Sequence, residues 1–598
     1  MEREKDLPGG YRGRTVPRPP AGRPATAIVR RVLAAVLITA LIALAWLVFR
    51  GFQVRGALLE AQAGLTQAVS GAGSGKIDAF VLAQQEASAD VRTARAAVDD
   101  PLWRVAAAVP VAGRSFAAVR DTTEVVAQVV DEVLPPLLEG ATDLQAGQLL
   151  VDGRVDLPLL AALAEDVETA EAAARDAEQD AAAISERYLP PPVAEARGDL
   201  ISQVQQLADG LTTGREALAL APAMLGADGP RRYFLAVHNN AEVRGTGGLV
   251  GAYAVVRAEQ GRLSLDRVGT NGDFETAAAP VVDLGPEFSA RYDSEFARSY
   301  WSAAVLTPDW PSAAQIMAGL WAEQGGGQID GVLGVDPVAM ARILAVTGPA
   351  QVGGRSIGPQ NVVDFVMRDE YAEFADDSPE RKQVLADLAE ALYEKVSAGG
   401  YSAPAMLSAL GRAGGSGHLQ IWSDRPAEQA VIAPLRASGA LPGEPGSYLH
   451  VVSNNAAGNK ADYYIRRRIS YARTAPGEAT ATVVLTNTVD AQSVPPIVTG
   501  RLDEPTFPVE PGQTRQLVSV YVGAGQTVRR MLVDGVEVSA DLGTEQGHGV
   551  GTVIVEIRPS RPTVVTAEVT DPGGLLTYRQ QPLVVDDELA LEVPYVVD

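Results

Sequence analysis

The chain has 598 residues, a formal net charge of −24, no cysteine and four histidines. A chain of this length predicts several domains, and the lack of cysteine excludes disulfides and thiolate metal sites. The histidines are scattered rather than spaced as in a zinc site. The acidic balance argues against nucleic acid as a partner, because its binding needs clustered Lys and Arg.

The N-terminal end predicts a membrane anchor. Residues 1–31 are rich in Pro, Gly and Arg, which predicts a disordered basic cytoplasmic tail. Residues 32–49 form an apolar run without charge, about long enough for a helix that crosses a bilayer. Arginines are concentrated before this run, so a single-pass protein of the cell membrane with a cytoplasmic N-terminus is expected. A cleaved signal peptide is the alternative, but no convincing cleavage site precedes Arg50.

Residues 51–225 are predicted to form an extracytoplasmic α-helical bundle or stalk. They are rich in Ala, Leu, Glu and Gln, and prolines divide them into several helices. Apolar residues within 160–184 keep a three-four spacing, which is typical of a heptad seam. The seam predicts helix packing within the chain, with a dimer contact as the alternative.

The rest of the chain predicts two further domains. Strand-like and helix-like segments alternate over residues 229–420, which indicates a mixed α/β layered core. Residues 421–460 are predicted to be a connecting segment. Short strands separated by Gly, Pro and Asp turns follow over residues 461–598 and predict an immunoglobulin-like β-sandwich.

A polar turn at the start of the core is the leading candidate site. The sequence HNNAEVR lies between two apolar strands and is followed by closely spaced glycines, which let a backbone approach a ligand. The candidate ligand-binding residues in this stretch are Asn239, Asn240, Glu242, Arg244 and Asp273. They could bind an anion or a sugar. The alternative is a structural turn in which Arg244 pairs with Glu242.

An acidic run later in the core allows two interpretations. The residues concerned are Asp369, Glu370, Glu373, Asp376 and Asp377. Carboxylates in such a group could hold a hard cation. A solvated acidic loop is the alternative, and a run of like charge favours it.

Several motifs carry a family resemblance. The runs YFLAVHNNAEVRGTGGLVGAYAVV, IDGVLGVDPVAMARILAVTGPAQVGG, QNVVDFV and NKADYYIRR resemble bacterial membrane proteins grouped as domain of unknown function 4012. Proteins of that group commonly have an N-terminal span, a helical segment and this core. The resemblance covers most of the chain outside the cytoplasmic tail and implies no established activity.

Residues 310–396 also resemble the later part of the LytR-CpsA-Psr cell-wall ligases. The matching features are Ile329-Asp330, the helix before Gly348, Phe365-Val366 with Arg368, Asp376 and Lys382-Gln383. In that family, arginines hold the pyrophosphate of a lipid-linked polymer, and a divalent metal assists its transfer to peptidoglycan. The chain departs from the pattern at Pro379 and Lys382, where arginines are expected, and NNAEVR replaces an Arg-x-Asp pattern.

Two functions follow from these patterns. The first is a membrane-anchored, extracytoplasmic cell-envelope protein whose α/β core binds an envelope ligand or partner, such as a polyprenyl-phosphate-linked glycan or a cell-wall component. The alternative is a LytR-CpsA-Psr-like phosphotransferase that moves a lipid-linked glycopolymer onto the cell wall. The candidate phosphate-binding residues for this alternative are Arg244, Arg368 and Arg381, and Lys382 is a further candidate ligand-binding residue. Only the alternative implies a metal cofactor, such as magnesium.

Overall fold

A long helix opens the described part of the chain. The computed structural model describes residues 25–73, 77–111, 113–146, 149–151, 153–374, 379–443 and 445–598. Helix α1, Ala25–Gly73, begins inside the predicted tail, because Ala and apolar residues directly precede the span and extend its helix. Residues 1–24 of that predicted tail lie outside the described residues. Among the described helices, α1 alone is long and apolar enough to cross a membrane.

In the described part of the chain, six further α-helices follow α1 before the first long strand. They are α2 Ile77–Val98, α3 Pro101–Ala107, α4 Arg114–Gln128, α5 Leu134–Ala146, α6 Leu157–Ala183 and α7 Pro191–Met224. Asp156 starts α6, because its side chain accepts a hydrogen bond of 3.1 Å from the backbone N–H of Leu159. The seam of α6, including Val167 and Ala174, is buried against α4 and α7. Its small residues therefore serve helix packing within the chain.

A seven-stranded mixed sheet forms the centre of the molecule. Its strands are β1 Leu150–Val151, β2 Arg154–Val155, β3 Arg231–Asn239, β4 Leu249–Glu259, β5 Arg262–Thr270, β6 Gly331–Val335 and β9 Leu419–Ser423. They lie in the order β1-β2-β5-β4-β3-β6-β9, and β3 and β6 are parallel. A separate hairpin contains β7 Ala350–Val352 and β8 Arg355–Ile357.

Helices cover both faces of this sheet. They are α8 Gly285–Tyr292, α9 Trp310–Glu323, α10 Pro337–Thr347, α11 Val362–Asp364, α12 Glu370–Glu373, α13 Pro379–Ser397, α14 Ala403–Gly415 and α15 Pro426–Ile432. On one face, Phe234 of β3 packs in a buried cluster with α8 and α9. On the other face, Val237 of β3 packs with α10, α13 and α14. The alternating side chains of one buried strand thus support both helix layers.

The C-terminal part consists of two six-stranded sheets. Its strands are β10 Ser447–Asn455, β11 Ile465–Ala475, β12 Glu478–Asn487, β13 Thr514–Ala524, β14 Val528–Val533, β15 Val536–Val538, β16 Asp541–Glu545, β17 His548–Ile557, β18 Thr563–Thr570, β19 Leu576–Arg579, β20 Glu588–Leu591 and β21 Tyr595–Val597. A short helix, α16 Pro496–Thr499, precedes β13. The sheets have the orders β16-β17-β13-β10-β19-β21 and β15-β14-β18-β12-β11-β20. Their facing side chains form one apolar cluster.

Strand β10 comes from the predicted connecting segment, residues 421–460. It lies inside a sheet, antiparallel to β13 and parallel to β19. All nine of its residues are buried, so the polar and apolar alternation that reveals a half-exposed strand is missing. Leu449 and Val451 point into the cluster between the two sheets, whereas Tyr448 and Val452 pack with Leu441 on the other side. The C-terminal sheets therefore include a strand that precedes residue 461.

Candidate functional site

The loop between β3 and β4, residues 240–248, is buried between the α/β core and the C-terminal sheets. We call it the junction loop. The backbone N–H of Val243 donates to Oδ2 of Asp462 at 2.9 Å, and the N–H of Gly245 donates to Oδ1 of Asn454 at 2.8 Å. The backbone oxygen of Arg244 accepts from Nε2 of Gln581 at 2.9 Å. Side chains of the C-terminal part therefore satisfy the buried backbone of this loop.

Close packing at Gly245 explains one of the loop's glycines. A Cβ atom at this position would lie 2.3 Å from the backbone oxygen of Leu306 and 2.4 Å from that of Thr307. Real Cβ atoms do not approach backbone oxygens so closely, so any larger residue would displace the loop. The glycine that suggests a close ligand approach in the sequence in fact lets two protein segments meet.

Glu242 and Arg244 form a buried ion pair within the loop. Nη2 of Arg244 donates to Oε1 of Glu242 at 2.6 Å, and Lys460 contacts the other carboxylate oxygen. Nη1 of Arg244 donates to the backbone oxygens of Val243 and Asn455 at 3.1 and 3.0 Å. Burial alone would raise the pKa of Glu242, but attraction from Arg244 and Lys460 outweighs it and lowers that pKa. This geometry is the pairing expected of a structural turn, so ligand binding by these two side chains stays a prediction.

Asn239 and Arg381 belong to a second buried network. Nδ2 of Asn239 donates to the hydroxyl of Tyr371 at 2.7 Å, and the guanidinium of Arg381 lies 4.9 Å from the centre of the Tyr371 ring. Nη1 of Arg381 also donates to Oε1 of Glu370 at 2.9 Å. The structure thus brings two predicted site residues together through Tyr371.

The remaining predicted site residues lie in different surroundings. Arg368 is partly exposed, and its guanidinium lies 2.8 Å from Oδ1 of Asp369. Oδ2 of Asp273 accepts from the hydroxyl of Tyr253 at 2.9 Å. The side chain of Lys382 lies outside the described part of the chain. Arg368 and Asp273 therefore find their partners away from the junction loop.

Asn240 links the junction loop to a buried carboxylate and to a cavity. Its Nδ2 donates to the backbone oxygen of Pro582 at 3.0 Å and to Oδ2 of Asp336 at 3.3 Å. Oδ2 of Asp336 also lies 2.5 Å from Nδ1 of His418, while Oδ1 accepts from the first N–H groups of α10. Asp336 therefore caps the N-terminus of α10 and also accepts a hydrogen bond from Asn240.

A cavity of about 30 Å³ lies beside the junction loop. Residues of both the core and the C-terminal sheets line it: Asn240, Val243, Ser453, Asp462, Tyr463, Ile465, Arg466, Arg467, Gln516, Leu583, Val584 and Val585. Asn240 and Gln516 each have a buried carboxamide oxygen without a hydrogen-bond partner in the described part of the protein. Such a space is large enough for one or two water-sized groups, so it accepts a small polar group rather than a whole sugar ring.

Asp462 is the site residue that the sequence does not single out. Its carboxylate accepts from the N–H of Val243, from Nδ2 of Asn455 at 2.8 Å and from Nε2 of Gln516 at 2.7 Å. Burial raises the pKa of Asp462 to about 6, because removal from water disfavours the charged form. The sequence signal for it was the run NKADYY with its neighbouring asparagines, a polar cluster that in fact is buried.

The acidic run contains no described metal-binding group. Among the residues that the structure describes, no three His, Cys, Asp or Glu side chains are placed to hold a metal ion together. Glu370 is instead buried against Arg381, and Glu373 is paired with Arg355. Asp376 and Asp377 lie outside the described residues, so the predicted cation site is described only in part.

Replacing Arg244 by alanine should destabilise the fold. The change leaves Glu242 buried with Lys460 as its one remaining cationic partner, and breaking a buried ion pair costs about 3 kcal/mol. Calorimetric melting of the protein should therefore show a lower Tm for Arg244→Ala. Arg257→Ala is the matched control, because Arg257 forms an exposed pair with Glu259 that is worth less than about 1 kcal/mol. Unchanged melting of Arg244→Ala together with weaker binding of polyprenyl phosphate would support a ligand-binding role instead.

The raised pKa of Asp462 predicts a pH-dependent stability. A carboxyl group whose pKa rises from 3.8 to about 6 on folding binds its proton more tightly in the folded chain. Its contribution to the free energy of unfolding is therefore fully present below pH 3.8 and is lost as the pH rises through about 6. This contribution is no more than about 3 kcal/mol. The difference in Tm between the wild type and Asp462→Asn should therefore decrease as the pH rises from roughly 4 to 7. A flat difference for Asp462→Asn would contradict the assignment.

Comparison with known proteins finds a similarity over the part of the chain that contains the junction loop. A family model described as protein of unknown function, DUF4012, matches residues 228–371. No curated protein and no solved structure matches the chain. The matched segment runs from the start of β3 to Tyr371, so it contains the junction loop and the Asn239–Tyr371 contact but none of the C-terminal sheets. The match supports the assignment of residues 228–371 to the DUF4012 family.

Proposed function

We propose that the chain is a single-pass membrane protein of the cell envelope, with a cytoplasmic N-terminus and an exported part that binds an envelope ligand or partner. The continuity of α1 is the observation that supports the membrane anchor. Its apolar first part is exposed, whereas Val54, Ala57 and Ala61 of the same helix are buried against other helices. A helix that supplies core residues to the exported part is expected to stay attached to it, which favours an anchor over a cleaved signal peptide.

The cavity beside the junction loop favours a ligand that donates hydrogen bonds. The unpaired oxygens of Asn240 and Gln516 are acceptors, and buried acceptors gain most from a hydroxyl or amide donor. Arg467 also lines the cavity, but its Nε already donates to Asp587 at 2.6 Å. We infer that the ligand is a hydroxyl-rich glycan of the envelope, one substituent of which enters the cavity while the rest lies on the rim.

The phosphotransferase alternative depends on Arg244, Arg368 and Arg381. Each of these arginines has a carboxylate partner within 2.9 Å. A lipid-linked phosphate would have to displace those carboxylates to be clamped, and two of the three pairs are buried. These ion pairs favour the binding function over the phosphotransferase.

The proposed topology predicts where a C-terminal reporter is active. Alkaline phosphatase fused after Asp598 should be active, because that enzyme folds only outside the cytoplasm, whereas a green fluorescent reporter at the same position should be dark. Fusions before Met1 are the control and should give the opposite pattern. A fluorescent cytoplasmic reporter after Asp598 would reverse the proposed orientation.

Blocking the cavity from its rim should weaken glycan binding. Val585 lines the cavity and is partly exposed, so Val585→Trp places a large ring at the mouth without removing a buried hydrogen bond. Binding of soluble peptidoglycan fragments, measured by calorimetry, should weaken at least tenfold, roughly 1.4 kcal/mol. Val536→Trp is the matched control on a distant, exposed strand and should bind as the wild type does.

Two outcomes of this experiment would contradict the glycan-binding function. One is equal glycan binding by the Val585→Trp and Val536→Trp variants. The other is binding of polyprenyl phosphate that Arg368→Ala weakens tenfold and Val585→Trp leaves unchanged, since that result supports the phosphotransferase. Arg355→Ala serves as the control for Arg368→Ala, because Arg355 is an exposed arginine with a carboxylate partner of its own.

A further inference from the structure

An apolar surface lies where the helical part of the chain meets the exposed segment of α1. Leu102, Val105, Val109 and Val111 are large apolar side chains exposed in and after α3, and Val105 is 66% exposed. No acidic residue occurs between Pro101 and Arg120, although the chain as a whole is strongly acidic. We call residues 101–111 the apolar tip. An exposed apolar cluster of this kind normally marks a surface that is covered in the functional state.

The apolar tip is fixed at a defined level of α1. Helix α2 runs antiparallel to α1, since Gly64 lies beside Ala87 and Val54 packs with Val98. The chain then reaches Asp100, whose Oδ2 accepts from Nε1 of Trp46 at 3.1 Å. These contacts set the tip beside the C-terminal end of the apolar run, residues 32–49.

Two further contacts tie the tip to α1. Nη2 of Arg50 donates to Oδ2 of Asp100 at 3.3 Å. Trp103 of α3 is buried with Val54 and packs against Leu47. The tip is therefore held against the last turns of the span, where α1 itself exposes Phe49 and Phe52.

A second connection of the helical part lies at the same end. The guanidinium of Arg114, just after the tip, lies 5.0 Å from the centre of the Tyr188 ring and donates to the backbone oxygen of Arg187. Tyr188 is itself exposed. Tyr and Trp side chains are enriched at the membrane–water boundary, where an apolar ring and a polar atom are both satisfied. Trp46 and Tyr188 thus contact the residues that flank the tip, Asp100 and Arg114.

We propose that the apolar tip, residues 101–111, inserts into the outer leaflet of the membrane beside α1 and seats the exported part on the bilayer surface. This inference rests on the proposed membrane anchor. The occupant is lipid rather than protein, because the contacts of Trp46 with Asp100 and of Trp103 with Leu47 hold the tip at the end of the span, where the bilayer surface is expected. Arg104, the one charged residue of the tip, is exposed and can contact lipid phosphates. Two attachment points fix the orientation of the exported part, which a single helix leaves free to tilt.

The cysteine-free chain allows a direct test. Single variants Val105→Cys, Val36→Cys and Ala162→Cys of the full chain are labelled with an environment-sensitive nitrobenzoxadiazole dye and placed in nanodiscs of phosphatidylcholine and phosphatidylglycerol. Val36 lies within the span, and Ala162 is an exposed residue of α6. The dye at Val105→Cys should emit at a shorter wavelength than at Ala162→Cys, resist quenching by aqueous iodide and be quenched by shallow nitroxide-labelled lipid.

The three positions separate failure of the tip from failure of the anchor. If the dye at Val36→Cys is in lipid but the dye at Val105→Cys behaves as at Ala162→Cys, the tip lies in water and the inference is wrong while the anchor stands. If the dye at Val36→Cys is quenched by iodide, the anchor itself is wrong. Protection of Val105→Cys from iodide without quenching by lipid nitroxide would mean that a second copy of the chain covers the tip, which also overturns lipid insertion.

Discussion

Burial of the junction loop is the constraint on which the rest of the structure depends. A loop that contains an ion pair and several free backbone groups is stable away from water only if every one of those groups finds a partner. The partners of Val243, Arg244 and Gly245 come from β10, from the segment before β11 and from the segment after β19. The α/β core and the C-terminal sheets therefore stabilise each other, and the cavity lies where they meet, lined by Asn240 and Gln516 among others.

Local patterns in the sequence predict the local features of the fold. The apolar run before Arg50 predicts the exposed part of α1, and the three-four spacing over residues 160–184 predicts the buried seam of α6. The turn between two apolar strands correctly predicts β3 and β4, because strands and turns depend on neighbours in sequence. The Glu242–Arg244 pair was also foreseen, as the structural alternative for this turn.

Contacts between distant segments leave no comparable signal. Val243 and Asp462 are 219 positions apart, and Arg244 and Gln581 are 337 positions apart. No periodicity connects such residues, so the sequence shows the polar character of the NKADYY run but not what it binds. Strand β10 was missed for a related reason: a strand buried on both faces lacks alternation, and its nine residues mix Asn, Ser and His with apolar residues.

The contacts of the candidate arginines and of the cavity-lining side chains decide which function is proposed. Arginines that suggest phosphate clamping in the sequence are paired with carboxylates in the structure, whereas the unpaired carboxamide oxygens of Asn240 and Gln516, which line the cavity, are acceptors. Under the proposed function, these acceptors would pair with donors such as the hydroxyls of a glycan. A span and an apolar tip at the opposite end of the helical part would hold such a site at a set distance and orientation from the membrane.

Hydrogen–deuterium exchange at the junction loop tests the central claim most directly. If burial of this loop locks the core to the C-terminal sheets, the amides of Val243 and Gly245 should exchange slowly, because their hydrogen bonds to Asp462 and Asn454 are released only when the two parts separate. Fast exchange over residues 240–248, with β10 still protected, would show that the loop opens freely and would contradict the account.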